Sequence, residues 1–536
     1  MQKNESGNIE NYNFRWNFEE RKYLIGLLAL IIGGLLIRIY YFPYAIPFGQ
    51  DVLDFFGYAV NTSNFGEISS EWFLANNGWP LFISMFFSII PIESFFDHIY
   101  LQRTISIVIS VLTVIPVYLL CKQIFKPITA LIGGALFIFN PIIIKYSLLG
   151  GNDILFTIVI TFALYFTIKQ SKKTFFLSFI LIGILTVIRY EALLLIIPFT
   201  ILFFYKSKNE KKKNITKYFL CMLCFLIIIL PFSIIDLNNF GEDGLVSHIF
   251  SNVKHVDQHI IQEKYSGDDW TDEIDENVSS IFILKGFENI IKFILMIALP
   301  VSIFLFPYGI LKIFSNINYK KLTIICVGFT FLFVAFYAYS RDFQDTKYLI
   351  PMIPIFTILS LYSIEKIQEK INKKRIISVS LLSIIILSSI SIVEITTIDV
   401  EHEKELFLVA QKVVELSDGY NIYEPESRYI KAAEMIEKWP EIAKSDGHGH
   451  LTRETERIND LDIDTLEEFL NNSKNKGLTH LVVYEKNNRP EFFTNVFNNE
   501  NKFPYLIKEY DSANDGFGYK VKIFKIDYKI LTKLEI

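Results

Sequence analysis

The sequence predicts an all-α polytopic membrane protein that carries a small α/β domain at its C-terminal end. Three observations lead there. Of 536 residues, 51% are hydrophobic and only 20% charged, and the Ile, Leu and Phe come as long runs. Runs of about 18 or more apolar residues are what a bilayer core of about 30 Å demands of a spanning helix. Second, basic residues gather in short clusters between those runs. Third, past about residue 397 the composition turns to mixed charge with periodic apolar positions. A net charge of −5 is mild and gives no reason to expect nucleic acid as a partner.

In chain order, residues 1–22 are polar and read as a cytoplasmic tail. The first apolar run has no small-residue cleavage site, so it is a retained span and not a signal peptide. About eleven spans are predicted, at roughly 23–42, 102–121, 127–147, 153–169, 174–188, 190–206, 217–236, 288–313, 321–340, 345–365 and 375–395. Basic clusters then occur at Lys3, Arg15, Arg21 and Lys22, at Lys122 and Lys126, and at Lys169, Lys172 and Lys173. They recur at Lys206 to Lys217, at Lys312, Lys320 and Lys321, and at Lys366 to Arg375. All fall on one side, which the excess of positive charge makes cytoplasmic. Counting 79–97 as a crossing would invert every later loop, so it is expected to be a re-entrant or interfacial segment on the outer side. The expected organisation is a multi-pass cell-membrane domain, 23–396, with outer loops 43–101 and 237–287. An extracytoplasmic α/β domain, 397–536, follows.

Cys121, Cys221, Cys224 and Cys326 lie inside or at the ends of predicted spans, so neither a disulfide framework nor a zinc site is implied. His248, His255 and His259 in the second outer loop could share a helical face. Solvated histidines on a polar helix account for them without a metal. In the tail, strands are expected at 420–424, 480–485 and 519–526. Helices are expected near 402–416, 428–438 and 465–474, with Ser427 and Asp464 as caps. His448 and His450 sit in a Gly-rich turn and read as loop. Asn61, Asn277 and Asn471 begin glycosylation sequons on the outer side, each a weak pattern.

The chemistry concentrates in the first outer loop, from Arg38 to Pro80, which has no Lys or Arg after Arg38. Asp51 and Asp54 are three residues apart and share a face if the stretch is helical, as Pro47 and Gly49 just before them invite. Tyr58 follows one turn on, and Trp79 closes the loop. A third acid, Asp153, opens a later span after a Gly-Gly-Asn turn, where capping the helix would explain it as well as catalysis. Two carboxylates from separate loops could flank one substrate, one of them as general base on an acceptor hydroxyl. Six cations map to outer span ends: Arg38, Arg103, Lys145, Arg189, Arg341 and Lys347. Charge in or near a span is costly, and a set of this kind suits a lipid phosphate or pyrophosphate. Snorkelling, or pairing with Glu191 and Asp342, is the alternative.

These features resemble the GT-C membrane glycosyltransferases, most closely the protein O-mannosyltransferase and aminoarabinose-transferase branch. The first span is followed by an acid-bearing loop with an Asp-x-x-x-aromatic pattern, then by Trp79-Pro80-Leu81-Phe82 opening an apolar run. Arg103 opens a span ending in VYLLCKQIF, the next ends in NPIIIKYS, and Asp153 opens the one after. Lys347-Tyr348-Leu349-Ile350-Pro351 is similar to the Arg-Tyr-Leu-x-Pro start of a late span in that branch. The resemblance covers the architecture of residues 20–365. It implies a polyprenyl- or dolichyl-phosphate sugar donor, transfer on the outer face, and an essential acid in the first outer loop. The chain departs from the branch in two places. The usual Asp-Glu pair is Asp51-Val52 or Asp54-Phe55 here, and the lysine preceding Pro-Pro-Leu is Gly78. The oligosaccharyltransferase WWDYG-type motif is absent, as is an Asp-x-Asp in the first loop, which argues against en bloc glycan transfer.

The expected function is therefore single-sugar transfer from a lipid-phosphate carrier to a protein or glycan acceptor, inverting at the anomeric carbon. Asp51, which follows the loop glycine, would be the base, with Asp54, which keeps the spacing to Tyr58, as the alternative and Asp153 at its side. Arg103, Arg189, Arg341 and Lys347 would hold the lipid phosphate, and Tyr58 and Trp79 would shape the loop side of the site. The sequence requires no cofactor and leaves a divalent metal open. The alternatives are transfer onto a lipid-linked glycan, or a lipid or sugar transporter. A transporter should show repeat symmetry and paired broken spans near the midplane, and neither is visible.

Overall fold

A computed structural model describes residues 18–534 apart from 69–73, 75, 91–92, 170–171, 207–210, 242, 245–246, 248–276, 299, 342, 371–373, 397–398, 417–419, 424–428, 440–454, 457–464, 476 and 486–490. His248, His255, His259, His448, His450, Ser427, Asp464 and Asp342 lie outside the described residues.

The N-terminal part is a helical bundle: α1 (Phe18–Tyr40), α2 (Gln50–Phe65), α3 (Gly78–Ile89), α4 (Phe95–Leu112), α5 (Val114–Lys122), α6 (Pro127–Ile138), α7 (Pro141–Leu149), α8 (Asp153–Lys169), α9 (Lys172–Ile188), α10 (Ile196–Lys206) and α11 (Lys211–Phe240). It continues with α12 (Asn277–Ala298), α13 (Ser302–Phe314), α14 (Tyr319–Ser340), α15 (Ile353–Lys370) and α16 (Lys374–Thr396). Among the described residues six helices are long and apolar enough to cross a membrane, and up to eight if each of two bent pairs is one span. The other three predicted spans form helices of 17, 17 and 11 residues.

The predicted 288–313 span is broken, its helices α12 and α13 meeting at 114°; the other departures from straight spans have local causes. The predicted 127–147 span bends by 50° between α6 and α7. There Asn140 caps the second helix, accepting from the amides of Ile142 and Ile143, and Pro141 supplies no donor to continue the first. The predicted 190–206 span starts as a 3-10 turn, Tyr190–Leu195, before α10. The predicted 345–365 span likewise opens with two short 3-10 turns, Thr346–Tyr348 and Ile350–Met352, the second containing Pro351. Segment 79–97 forms the 12-residue α3, too short to span. Its Trp79, Pro80, Ile83, Ser84 and Phe87 are buried, whereas Met85 and Ile89 are exposed.

The tail is an α/β domain. Its helices are α17 (Val400–Leu416), α18 (Ile430–Glu437), α19 (Leu466–Lys474), α20 (Glu491–Asn498) and α21 (Tyr528–Leu534). Its strands are β1 (Tyr420–Tyr423), β2 (Thr455–Glu456), β3 (Leu478–Tyr484), β4 (Leu506–Asp511) and β5 (Val521–Ile526). The five-stranded sheet has the order β2-β1-β3-β5-β4, with β1 parallel to β2 and β3, and β5 antiparallel to β3 and β4. The three predicted strands and three predicted helices are present. β2 and β4 escape a sequence reading: β2 is two residues long, and β4 shows a run of exposed positions where period-2 burial would be expected. Thr465, not the residue before it, caps α19 by accepting from the Glu468 amide.

The tail packs on the 43–101 segment. Ala432, Met435 and Trp439 join an apolar cluster with Phe56, Trp79, Phe87, Phe95 and Ile99. The Trp439 ring stacks on Phe56 at 5.9 Å, and its indole N–H donates to the Glu93 carbonyl at 2.8 Å. Ile46 in turn packs with Leu406, Phe407 and Ile430. The loop helices and the tail therefore share one core, and this fixes α2 over the end of the bundle.

Candidate active site

The site begins with the entry to α2. Arg103 on α4 is 3% exposed, and its guanidinium donates to the carbonyls of Leu148, Pro43, Ile46 and Pro47. Those bonds pin the 43–47 loop just before Gly49, the residue at the N-cap of α2. Asp51 then falls in the first turn of α2, where the helix dipole favours a carboxylate. Two short loops complete the other walls. In one, Gly150 at φ 77° makes a left-handed turn that a side chain would strain, and Asp153 opens α8 behind it. In the other, Asp345 caps the Thr346–Tyr348 turn by accepting from the Lys347 amide, and this projects Lys347.

These elements enclose a cavity of about 260 Å³ lined by Asp51, Asn76, Tyr146, Asn152, Asp153, Arg189, Tyr190, Glu191, Asp345, Lys347 and Tyr348, among others. Asp51 Oδ2 lies 3.1 Å from Lys347 Nζ, and its side chain is 69% exposed. Arg189 leaves the end of α9 and divides its guanidinium between two acids. Nη1 meets Asp153 Oδ1 at 2.7 Å, and Nη2 meets Glu191 Oε1 at 3.0 Å. That geometry uses two of five N–H donors and leaves others for a ligand. Arg189 also lies 5.6 Å from the Phe156 ring centre and 5.4 Å from that of Tyr348. Tyr146 donates to Asp345 and accepts from Thr346.

The structure thus brings together four of the residues singled out from sequence: Asp51, Asp153, Arg189 and Lys347. It separates the others. Asp54 points away from the cavity and pairs with Lys431 on α18 of the tail. Sixty degrees of rotation separates residues three apart on a helix, and here that suffices to split the two acids. Arg103 is spent on backbone carbonyls and does not line the cavity. Arg341 lies against Tyr337 and Phe343, also outside it. Trp79 is fully buried and donates its indole N–H to the Gly150 carbonyl at 3.0 Å, so it supports the Asp153 turn from behind. Tyr58, on α2 itself, is buried and does not line the cavity, its hydroxyl bonded to Asn77. Arg38 is buried and fully paired with neutral groups, Ser110, Ser147 and the carbonyls of Gly34 and Ile138. Gly78, which replaces a lysine of the aminoarabinose branch, packs so closely that an added Cβ would sit 2.8 Å from the Ile188 backbone.

Asp345, Tyr146 and Asn76 line the cavity without having been singled out. Asp345 had a signal: it stands two residues before Lys347 at the same end of the predicted 345–365 span, and the cost of charge there applies to it equally. Among the described residues no three His, Cys, Asp or Glu side chains converge to hold a metal ion.

Comparison with known proteins fits this architecture. Residues 80–235 match the family model of dolichyl-phosphate-mannose-protein mannosyltransferases. The fold is similar to the apo crystal structure of the Archaeoglobus fulgidus oligosaccharyltransferase, with TM-score 0.54 and 12% identity over 87% of this chain and 70% of that one. It is similar to AglB of the same organism in complex with an inhibitory peptide and a dolichol-phosphate, with TM-score 0.53 and 12% identity over 94% and 74%. ArnT from Cupriavidus metallidurans in the apo state gives TM-score 0.50 and 10% identity over 96% and 99%. This chain spans 59% of the Archaeoglobus oligosaccharyltransferase crystallised with zinc and sulfate. No curated protein matches. The protein is a multi-pass membrane protein, and its fold is that of the GT-C membrane glycosyltransferases.

Proposed function

We propose that this chain is a membrane glycosyltransferase that moves one sugar from a polyprenyl- or dolichyl-phosphate carrier to a hydroxyl of a protein or glycan acceptor on the outer face. The observation that carries the reading is the pairing of Asp51 with Lys347 at 3.1 Å on a cavity that also holds Arg189. A base and two cations on one cavity are what a displacement at an anomeric carbon needs. Asp51 takes the proton of the acceptor hydroxyl as its oxygen attacks the anomeric carbon from one side. The bond to the carrier phosphate breaks on the other, with inversion. Lys347 and the unused donors of Arg189 neutralise charge on the departing phosphate. Asp153, Glu191 and Asp345 offer carboxylate oxygens to sugar hydroxyls, and the Asp153–Glu191 pair also holds the Arg189 fork in place.

The match of residues 80–235 to the mannosyltransferase model supports a lipid-phosphate donor. So does the presence of dolichol-phosphate in the AglB complex of similar fold. The test is turnover by the full chain in vesicles given a panel of radiolabelled polyprenyl-phosphate sugars. Release of free lipid phosphate from one donor, dependent on added acceptor, is expected. A folded preparation that consumes no donor would overturn the reading.

A further inference from the structure

A second cavity, of about 340 Å³, lies at the opposite end of the bundle, where the predicted cytoplasmic clusters of basic residues gather. Gln123, Ile124, Asn318, Tyr319, Lys320, Lys321 and Tyr362 line it, two cations and no acid. It is built from chain ends. Asn318 caps the 22-residue α14 by accepting from the Lys321 amide, so the positive end of that helix faces the cavity. Lys320 donates to the Gln123 carbonyl just past α5, and Lys321 donates to the carbonyls of Lys312 at 2.8 Å and of Ser315 where α13 ends. These bonds hold both ammonium groups in place while each keeps at least one N–H. Neither ammonium has a carboxylate partner among the described residues. The nearby acid, Glu365, lies one turn beyond Tyr362 in the field of Lys126 and Lys312.

The cavity also holds an unmet donor. Tyr362 is 8% exposed, and its buried hydroxyl has no hydrogen-bond partner among the described residues. The hydroxyl of Tyr319, which also lines the cavity, is likewise without a partner among the described residues, and Lys321 Nζ lies 5.8 Å from the centre of the Tyr362 ring, so an acceptor here would meet donors from both lysines and tyrosine. At the end of α13 and in the turn that leads to Asn318, Leu311, Phe314 and Ile317 expose large apolar side chains, at 74%, 50% and 51%. A ligand with an anionic oxygen cluster and an attached hydrocarbon satisfies all of these features. We propose that this cavity binds the phosphate of an anionic membrane lipid, with the phosphate oxygens on Lys320, Lys321 and the Tyr362 hydroxyl and an acyl chain along Leu311 and Phe314. The cavity holds none of the acids assigned to transfer, so this inference stands apart from the proposed reaction.

The test takes full-length protein from vesicles of equal phosphatidylcholine and phosphatidylglycerol and reads retained lipid by native mass spectrometry. One tightly held phosphatidylglycerol is expected. K320Q/K321Q should weaken its retention about a hundredfold, and Y362F, which leaves the Asn318 cap and both lysine–carbonyl contacts intact, about tenfold, with the unfolding midpoint of Y362F unchanged. Should K320Q/K321Q fail to fold, Y362F alone decides. Equal retention of phosphatidylcholine would overturn the proposal, as would wild-type retention by Y362F. Complete displacement of the lipid by millimolar inorganic phosphate would make this a soluble-phosphate site and overturn it too.

Discussion

Lys347 and Asp51 meet at 3.1 Å although 296 residues separate them in the chain. One comes from the 3-10 turn Thr346–Tyr348, the other from the first turn of α2. In this state the ammonium occupies the carboxylate that is to act as base. In the proposed reaction a donor phosphate would compete for the same cation, so donor binding would draw Lys347 off Asp51 and free it for the acceptor hydroxyl. Replacing Lys347 by Met should therefore raise the KM for the lipid donor and also lower kcat, with kcat/KM falling about 10²-fold or more. Steady-state kinetics with the donor found in the vesicle panel would check this. Lys347→Arg should retain more activity than Lys347→Met, since charge is kept.

Arg189 sits between Asp153 and Glu191, with both its own side chain and that of Asp153 about nine-tenths buried. Removing one partner of such a pair leaves an uncompensated charge, at a cost of about 3–5 kcal/mol. Asp153→Ala should lower the thermal unfolding midpoint of the detergent-solubilised protein. Arg189→Lys cannot reach both acids as a planar fork does, and it should lose donor affinity as well as stability. A variant at Asp153 that kept the wild-type midpoint and lost all turnover would instead mark that carboxylate as a direct participant.

Asp54 and Lys431 tie the tail to the outer-loop helix. The Asp54 side chain is 38% exposed, so the pair should contribute only about 0.5–1 kcal/mol. A double-mutant cycle on unfolding should return a coupling of that size. The exchange Asp54→Lys with Lys431→Asp should recover what either single change loses. Turnover by Asp54→Asn should stay within about fivefold of wild type, the kinetic equivalent of that small coupling.

Arg103 should behave as a structural residue. Arg103→Met strips four carbonyls of their donor and leaves them buried, so the 43–47 loop and the start of α2 lose their anchor. The loss should appear as poor yield of folded protein, read by size-exclusion chromatography, and not as a selective rise in donor KM.

Much of this architecture was legible in the sequence because membrane spans announce themselves by length and apolar composition. The tail strands at β1, β3 and β5 carried the usual alternation or apolar run, and the helix after Gly49 carried a start signal. What sequence could not supply was direction. The sequence leans to Asp51, which follows the loop glycine, but keeps Asp54 in play; only the placed helix shows one facing Lys347 and the other the tail. Arg103 and Arg189 likewise read alike, as outer-end cations. The first proves to be consumed by carbonyls of a loop about 60 residues earlier, which only the folded chain brings near. The breaks at Asn140 and at Tyr190 were hidden because apolar composition continues through them.

The most direct test is single-turnover release of lipid phosphate from the donor by Asp51→Asn and Asp54→Asn, each with the wild-type amount of folded protein. The account predicts release abolished, or slowed at least about 10²-fold, for Asp51→Asn, and near wild type for Asp54→Asn. Near-normal release by Asp51→Asn together with its loss in Asp54→Asn would contradict it, and would move the base to the acid that now holds the tail.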